Sequence, residues 1–124
     1  MITRIHPIVV FVKDFGKSLA FYRDKVGLKL AYPPSHEHGG GWAEFKVGGS
    51  SFCIHGGGRR TNRNSSVDVH FEVKGIQATV RRMKARGVRF LCPVTKMPYG
   101  VWETTFRDPS GNTFELVEPL PKRR

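Results

Sequence analysis

Glu115 poses the clearest chemical problem in this sequence. It lies in "TTFRDPSGNTFELVEP", residues 104 to 119, where two alternating runs flank the turn mix Asp108-Pro109-Ser110-Gly111-Asn112. That pattern reads as a β-hairpin. Glu115 sits between Phe114 and Leu116 on the second arm, so it points to the opposite face from both. A carboxylate on an inward face must meet a cation or a donor, or else take up a proton and become a donor itself. Three aromatic residues could accompany it. Trp42, Tyr99 and Trp102 stand beside the glycine-containing stretches "GGG" and "PYG". Such residues fit the wall of a pocket, offering stacking area where glycine permits close approach, or they pack as core beneath the loops.

The elements that position these residues come in two similar sets. Residues 5 to 30, "IHPIVVFVKDFGKSLAFYRDKVGLKL", read as a strand, a short helix and a Gly-Leu-Lys-Leu return. Leu19, Tyr22 and Val26 share a helical face, and Asp14 or Ser18 caps its start. Residues 67 to 91, "VDVHFEVKGIQATVRRMKARGVRFL", repeat the plan, with Ile76, Val80 and Met83 on one face. Val12-Lys13 recurs as Val73-Lys74, 61 positions later. The later strands match as well, "EFKVGGSSFCIH" (44 to 55) lying over "TFRDPSGNTFELV" (105 to 117). The sequence therefore predicts an α+β fold of two βαβββ modules, residues 1–58 and 67–121. The linker 59–66 falls within a Gly, Arg, Asn and Ser stretch with nothing to bury. "PPSHEHGGG" (33 to 41) is expected to be a second flexible region, with His36 and His38 in solvent.

Composition bounds the function. At 39% hydrophobic and 25% charged residues, the chain is an ordinary globular domain. Its apolar runs are too short for a transmembrane helix. The N-terminal apolar stretch is broken by Pro7 and ended by Lys13-Asp14, unlike a secretory signal, so a cytoplasmic location is expected and no membrane partner. Cys53 and Cys92 lack metal-pair spacing and read as small buried hydrophobes. Twenty-one Lys+Arg against ten Asp+Glu give a net charge of +11, which favours anionic partners. The basic residues are dispersed through "RRTNR", "RRMKAR" and "KRR", with no base-reading motif, so no specific nucleic-acid partner is expected.

The stretches "VKDFGKSLAFYRDKVGL", "GIQATVRRMKARGVRF" and "PYGVWETTFRDPSGNTFELVEP" together resemble the vicinal oxygen chelate superfamily. That group includes glyoxalase I, fosfomycin and bleomycin resistance proteins and extradiol dioxygenases. The resemblance spans almost the whole chain. It implies a cup-shaped mixed sheet, completed by dimerisation into a homodimer, with a small-molecule cavity. In metal-using members it also implies four ligand positions, which fall here on Pro7, Cys53, Asp68 and Glu115. Glu115 suits the last of them; proline has no donor, and the mixture makes a degenerate site.

A rival set shares the inner face: His55, two residues beyond Cys53, and His70, two beyond Asp68, with Glu115. Two imidazoles and a carboxylate would suit divalent Fe, Mn, Ni or Zn. A two-residue step displaces a side chain by about 6.6 Å, however, which metal–ligand bonds do not tolerate unless both strands shift. The reading adopted is a relative needing no cofactor, which binds a small anionic or aromatic molecule. Glu115 and His70 form its polar pair, fit also to act as a general base. His55, Trp42, Tyr99, Trp102, Asp68 and Cys53 line the cup. The alternative is a metal-dependent lyase, isomerase or dioxygenase using Glu115, His55 and His70.

Overall fold

The computed structural model describes residues 1, 7–57 and 69–121, with only the backbone of His38. Asp68, the linker 59–66 and the basic stretches "RRTNR" and "KRR" lie outside the described residues. Strand β1 (Pro7–Phe11) leads into helix α1 (Phe15–Ala20), which continues as a π-helical turn, Phe21–Val26. Strands β2 (Lys29–Leu30), β3 (Trp42–Val47) and β4 (Ser50–His55) complete one set. The second set is β5 (His70–Glu72), α2 (Ile76–Ala85), β6 (Arg89–Phe90), β7 (Thr95–Met97), β8 (Val101–Arg107) and β9 (Thr113–Pro119).

The two sheets repeat one topology. Their orders are β1-β4-β3-β2 and β5-β9-β8-β6, with β7 added on β8. In each, the opening strand runs parallel to the closing one. Equivalent hydrogen bonds carry the repeat to atomic detail: Val12 N donates to His55 O at 3.0 Å, and Val73 N to Val117 O at 2.9 Å. The fold is thus α+β, built from paired βαβββ units.

Local sequence accounts for the helices. Asp14 caps α1, its side chain accepting from Lys17 N at 3.0 Å. Gly27, at φ 88°, closes the π turn in the left-handed region. Helix α2 has no capping side chain of its own. Glu118 on β9 supplies one, accepting from Gly75 N at 2.7 Å and Ile76 N at 3.0 Å.

Aromatic residues join the two sheets. Phe52 lies 5.3 Å from Phe71 and 5.8 Å from Phe114, ring to ring. Phe21 and Tyr22, consecutive in the π turn, meet Phe106 and Phe114. Phe45, Phe52, Phe106 and Phe114 are essentially sealed from solvent. A single core therefore receives one face of each sheet, and the alternate residues look outward.

The stretch 33–41 differs from the expectation of a flexible region. Ser35 and Trp42 exchange backbone hydrogen bonds at 3.0 and 2.7 Å. Gly41, at φ 121°, rests on the Phe15 ring, and Gly56 abuts the Gly40 carbonyl so closely that neither position has room for a Cβ. His36 is exposed, as expected, but its ring meets Phe15 edge-on at 5.3 Å.

Candidate functional site

Strand alternation sets the outward faces. Phe114 and Leu116 are buried, and Glu115 between them points outward, half-buried. Its register partners are His70 on β5 and Thr105 on β8. Thr105 Oγ1 donates to Glu115 Oε1 at 2.7 Å. His70 stands on the same face of the neighbouring strand, so the sheet brings these two predicted residues together. His70 also lines a cavity of about 160 Å³ with Glu72, Ser50 and Ile8, between the edges of the two sheets.

Tyr99 is exposed and joins the same region. Its hydroxyl donates to Glu103 Oε1 at 2.9 Å, and that bond is the main reason its pKa lies above the ordinary 10.0. The charges of Glu103 and Glu115 push in the same direction.

The second group lies on the outward face of the first sheet. Val9, Cys53 and Glu44 are register neighbours, as are Phe11, His55 and Trp42. Phe11 and Trp42 lie 5.3 and 5.9 Å from the His55 ring. Trp42 Nε1 donates to Tyr32 Oη at 2.7 Å, and Tyr32 Oη donates to Glu44 Oε1 at 3.1 Å. Ser51 Oγ donates to Glu44 Oε2 at 2.8 Å. Sequence reasoning passed over Glu44 and Tyr32. The alternation of "WAEFKV" was the available signal for Glu44, since it sets Glu44 opposite Ala43 and Phe45.

Cys53 is fully buried within this group. Burial, and secondarily the Glu44 charge, push its thiol up to about 11, so a ligating thiolate is disfavoured. Cys92 is exposed, a correction to its reading as a buried hydrophobe; it precedes Pro93 outside the strands.

Trp102 needs the larger correction. It lies on β8 in phase with Thr104 and Phe106 and packs against the core, on the face opposite Glu103 and Thr105. It is therefore not a wall residue beside Glu115. Beside "PYG", its place on the strand settles its direction; its neighbouring glycine does not.

The fit to a metal is poor. Among the described residues, no three His, Cys, Asp or Glu side chains are gathered closely enough to hold an ion. Pro7 offers no ligand, His55 lies in the other sheet from His70 and Glu115, and its Nδ1 is 2.6 Å from Gly56 O.

The comparisons agree with the paired-module fold. The protein YetH of Bacillus subtilis (strain 168) is 29% identical over 121 residues, covering 95% of this chain and all of that one. TnmS3, an antibiotic binding protein from Streptomyces sp. CB03234, superposes with a TM-score of 0.78 at 25% identity, covering 95% of this chain and 97% of that one. The fosfomycin resistance protein FosX from Listeria monocytogenes, solved as its E126Q mutant with Mn(II) and a dihydroxypropylphosphonic acid, gives a TM-score of 0.73 at 24% identity. There the coverage is 94% of this chain and 90% of that one. Residues 4–116 match the sequence pattern of one superfamily. With the repeated topology and the outward Glu115, the chain belongs to the Glyoxalase/Bleomycin resistance protein/Dioxygenase superfamily.

Proposed function

We propose that the protein binds a small aromatic molecule against the outward faces of its two sheets, with a second copy of the chain completing the cup. The carrying observation is the Phe11–His55–Trp42 group, an aromatic surface with exposed edges beside a hydrogen-bonded carboxylate, Glu44. Aromatic ligands gain stacking and edge-to-face contacts on such a surface. Val9 and Phe11 on β1 keep 38% of their surface exposed, as does Ile8 on the other face of that edge strand, at 42%. That apolar edge supports the homodimer reading. Residues 1–58 and 67–121 would be its two modules, joined by 59–66.

The choice between anionic and aromatic ligands turns on local charge. Glu72, Glu103 and Glu115 lie close together on the outward face of the second sheet, Glu72 and Glu103 flanking Val117 in the register. The basic residues of the outward faces, Lys29, Lys46, Arg89 and Arg107, instead pair with one another towards the β2 and β6 edges. An anion resting among the three carboxylates would meet like charge. The aromatic half of the reading is therefore preferred, for a neutral or cationic molecule. Related proteins include an antibiotic-binding one, TnmS3, which supports a sequestering or carrier role.

The test is a fluorescence and thermal-shift screen of small aromatics bearing carboxylate, neutral or ammonium groups. Binding should favour the neutral and ammonium members and weaken in Trp42→Ala and Glu115→Gln. Affinity untouched by both substitutions would sink the reading. Sedimentation velocity should show a dimer.

One observation favours the metal-dependent alternative: His70 stands directly opposite Glu115 in the parallel ladder. Elemental analysis after growth in metal-supplemented medium separates the two readings. The ligand-binding reading expects no stoichiometric divalent metal. One tightly held ion per chain, lost on Glu115→Ala, would make the enzyme reading the better one.

A further inference from the structure

A second cavity lies on a different part of the molecule. It has a volume of about 320 Å³ and opens between helix α1 and the β8–β9 turn. Lys17 and Lys25 reach it from the helix, and Arg89 and Arg107 from β6 and β8; Phe21 and Pro109 give it apolar walls. None of the four cations has a salt-bridge partner among the described residues.

Three observations bear on what this cleft could hold. First, Arg89 and Arg107 are direct register partners across β6 and β8, a like-charge pairing that destabilises a sheet. The matching pair in the first sheet, Lys29 and Lys46, is solvent-exposed, where water and salt screen it. Arg89 is exposed as well, but Arg107 is half-buried and has less of that relief. Second, Arg107 Nε is buried with no acceptor among the described residues, although buried donors are nearly always bonded.

Third, the single carboxylate in the lining, Asp108, is already engaged. Its Oδ1 accepts from Ser110 N and Asn112 N, at 2.9 and 2.8 Å. Its Oδ2 accepts from Tyr22 Oη and Asn112 Nδ2, at 2.7 and 2.9 Å. Four cations against one committed carboxylate leave an excess positive charge in an open cleft, with Lys17, Lys25 and Arg89 exposed at its rim and Arg107 half-buried.

We propose that this cleft binds a compact phosphate-bearing small molecule, its oxyanion held between Arg89 and Arg107 and flanked by Lys17 and Lys25. Guanidinium forks match phosphate oxygens, and the Phe21–Pro109 wall takes the organic part. A concave site with a buried donor suits a small ligand better than a nucleic-acid backbone, which tracks a basic groove or stripe.

Pyrophosphate is the probe, followed by isothermal titration and by thermal melting at physiological ionic strength. Wild type should bind and melt higher with ligand. Arg107→Gln and Arg89→Gln should each weaken binding by about tenfold or more, the loss of a charge-assisted bond. Arg81→Gln, on the exposed face of α2, removes the same charge elsewhere and should leave affinity unchanged. Without ligand, Arg107→Gln should melt no lower than wild type, since it relieves the like-charge pair; this also verifies folding. Three outcomes would overturn the proposal: no pyrophosphate binding, equal weakening by Arg81→Gln, or tighter binding of a DNA duplex at the same salt with the same dependence on Arg107.

Discussion

Tyr22 donates its phenolic hydrogen to Asp108 Oδ2 across 2.7 Å, fastening the first helix to the last hairpin turn. The two residues are 86 positions apart and both are buried. The bond closes a network in which Asp108 also organises its own turn through Ser110 and Asn112. Tyr22→Phe removes one donor to a buried carboxylate and should cost about 1.5–3 kcal/mol, measured by chemical denaturation. An unchanged midpoint would mean that water replaces the donor.

The same tyrosine makes alkaline stability predictable. Burial first, and Asp108 second, raise the Tyr22 pKa well above its ordinary 10.0. The folded state thus holds the proton that the unfolded chain releases above pH 10. This contribution is complete below that pH and is lost as pH rises through the folded value. Melting of wild type minus that of Tyr22→Phe, followed from pH 9 to 11, should shrink with pH.

The aromatic bridge between the sheets carries much of the core. Phe114 touches Tyr22, Phe52, Phe71 and Phe106. Phe114→Ala should destabilise by about 3–5 kcal/mol. The conservative Phe114→Leu should recover a substantial part of that loss.

Thiol chemistry should separate the two cysteines. At pH 8 an alkylating reagent should modify Cys92 quickly and Cys53 only on unfolding, because Cys53 is sealed and its thiol is pushed up to about 11. Peptide mapping after a short pulse checks this. Early labelling of Cys53 would show that the first sheet opens.

Glu118 should act as the absent cap of α2. Its bonds to Ile76 N and Gly75 N hold its pKa below 4.5. Its contribution is present above that value and fades as pH falls through the folded pKa. Glu118→Gln should therefore lower the melting temperature at neutral pH and flatten the acid limb of the stability curve.

The repeat was legible because hydrophobic alternation and helical periodicity are local signals. Ile76, Val80 and Met83 line the buried face of α2, as their spacing requires. Glu115 could be aimed from Phe114 and Leu116 alone. Trp102 could have been aimed in the same way, by its phase with Phe106, whereas a neighbouring glycine says nothing about which face a side chain takes. The charge of the outward faces, by contrast, was hidden. A net charge of +11 sums the whole surface, while Glu72, Glu103 and Glu115 gather only when β5, β8 and β9 align. The Glu118 cap and the Arg89–Arg107 pair are likewise products of register, invisible until distant segments meet.

The glycine contacts at Gly41 and Gly56 divide the neighbourhood of Trp42 into parts that can change and parts that cannot. A methyl group at either position would drive into the Phe15 ring or the Gly40 carbonyl, so that seam admits no side-chain diversity. Tyr32 and His36, exposed on the same loop, carry no such restriction. Selection or engineering that retunes the proposed aromatic site would have to work through those side chains, beside a seam whose two glycines leave no room for a Cβ.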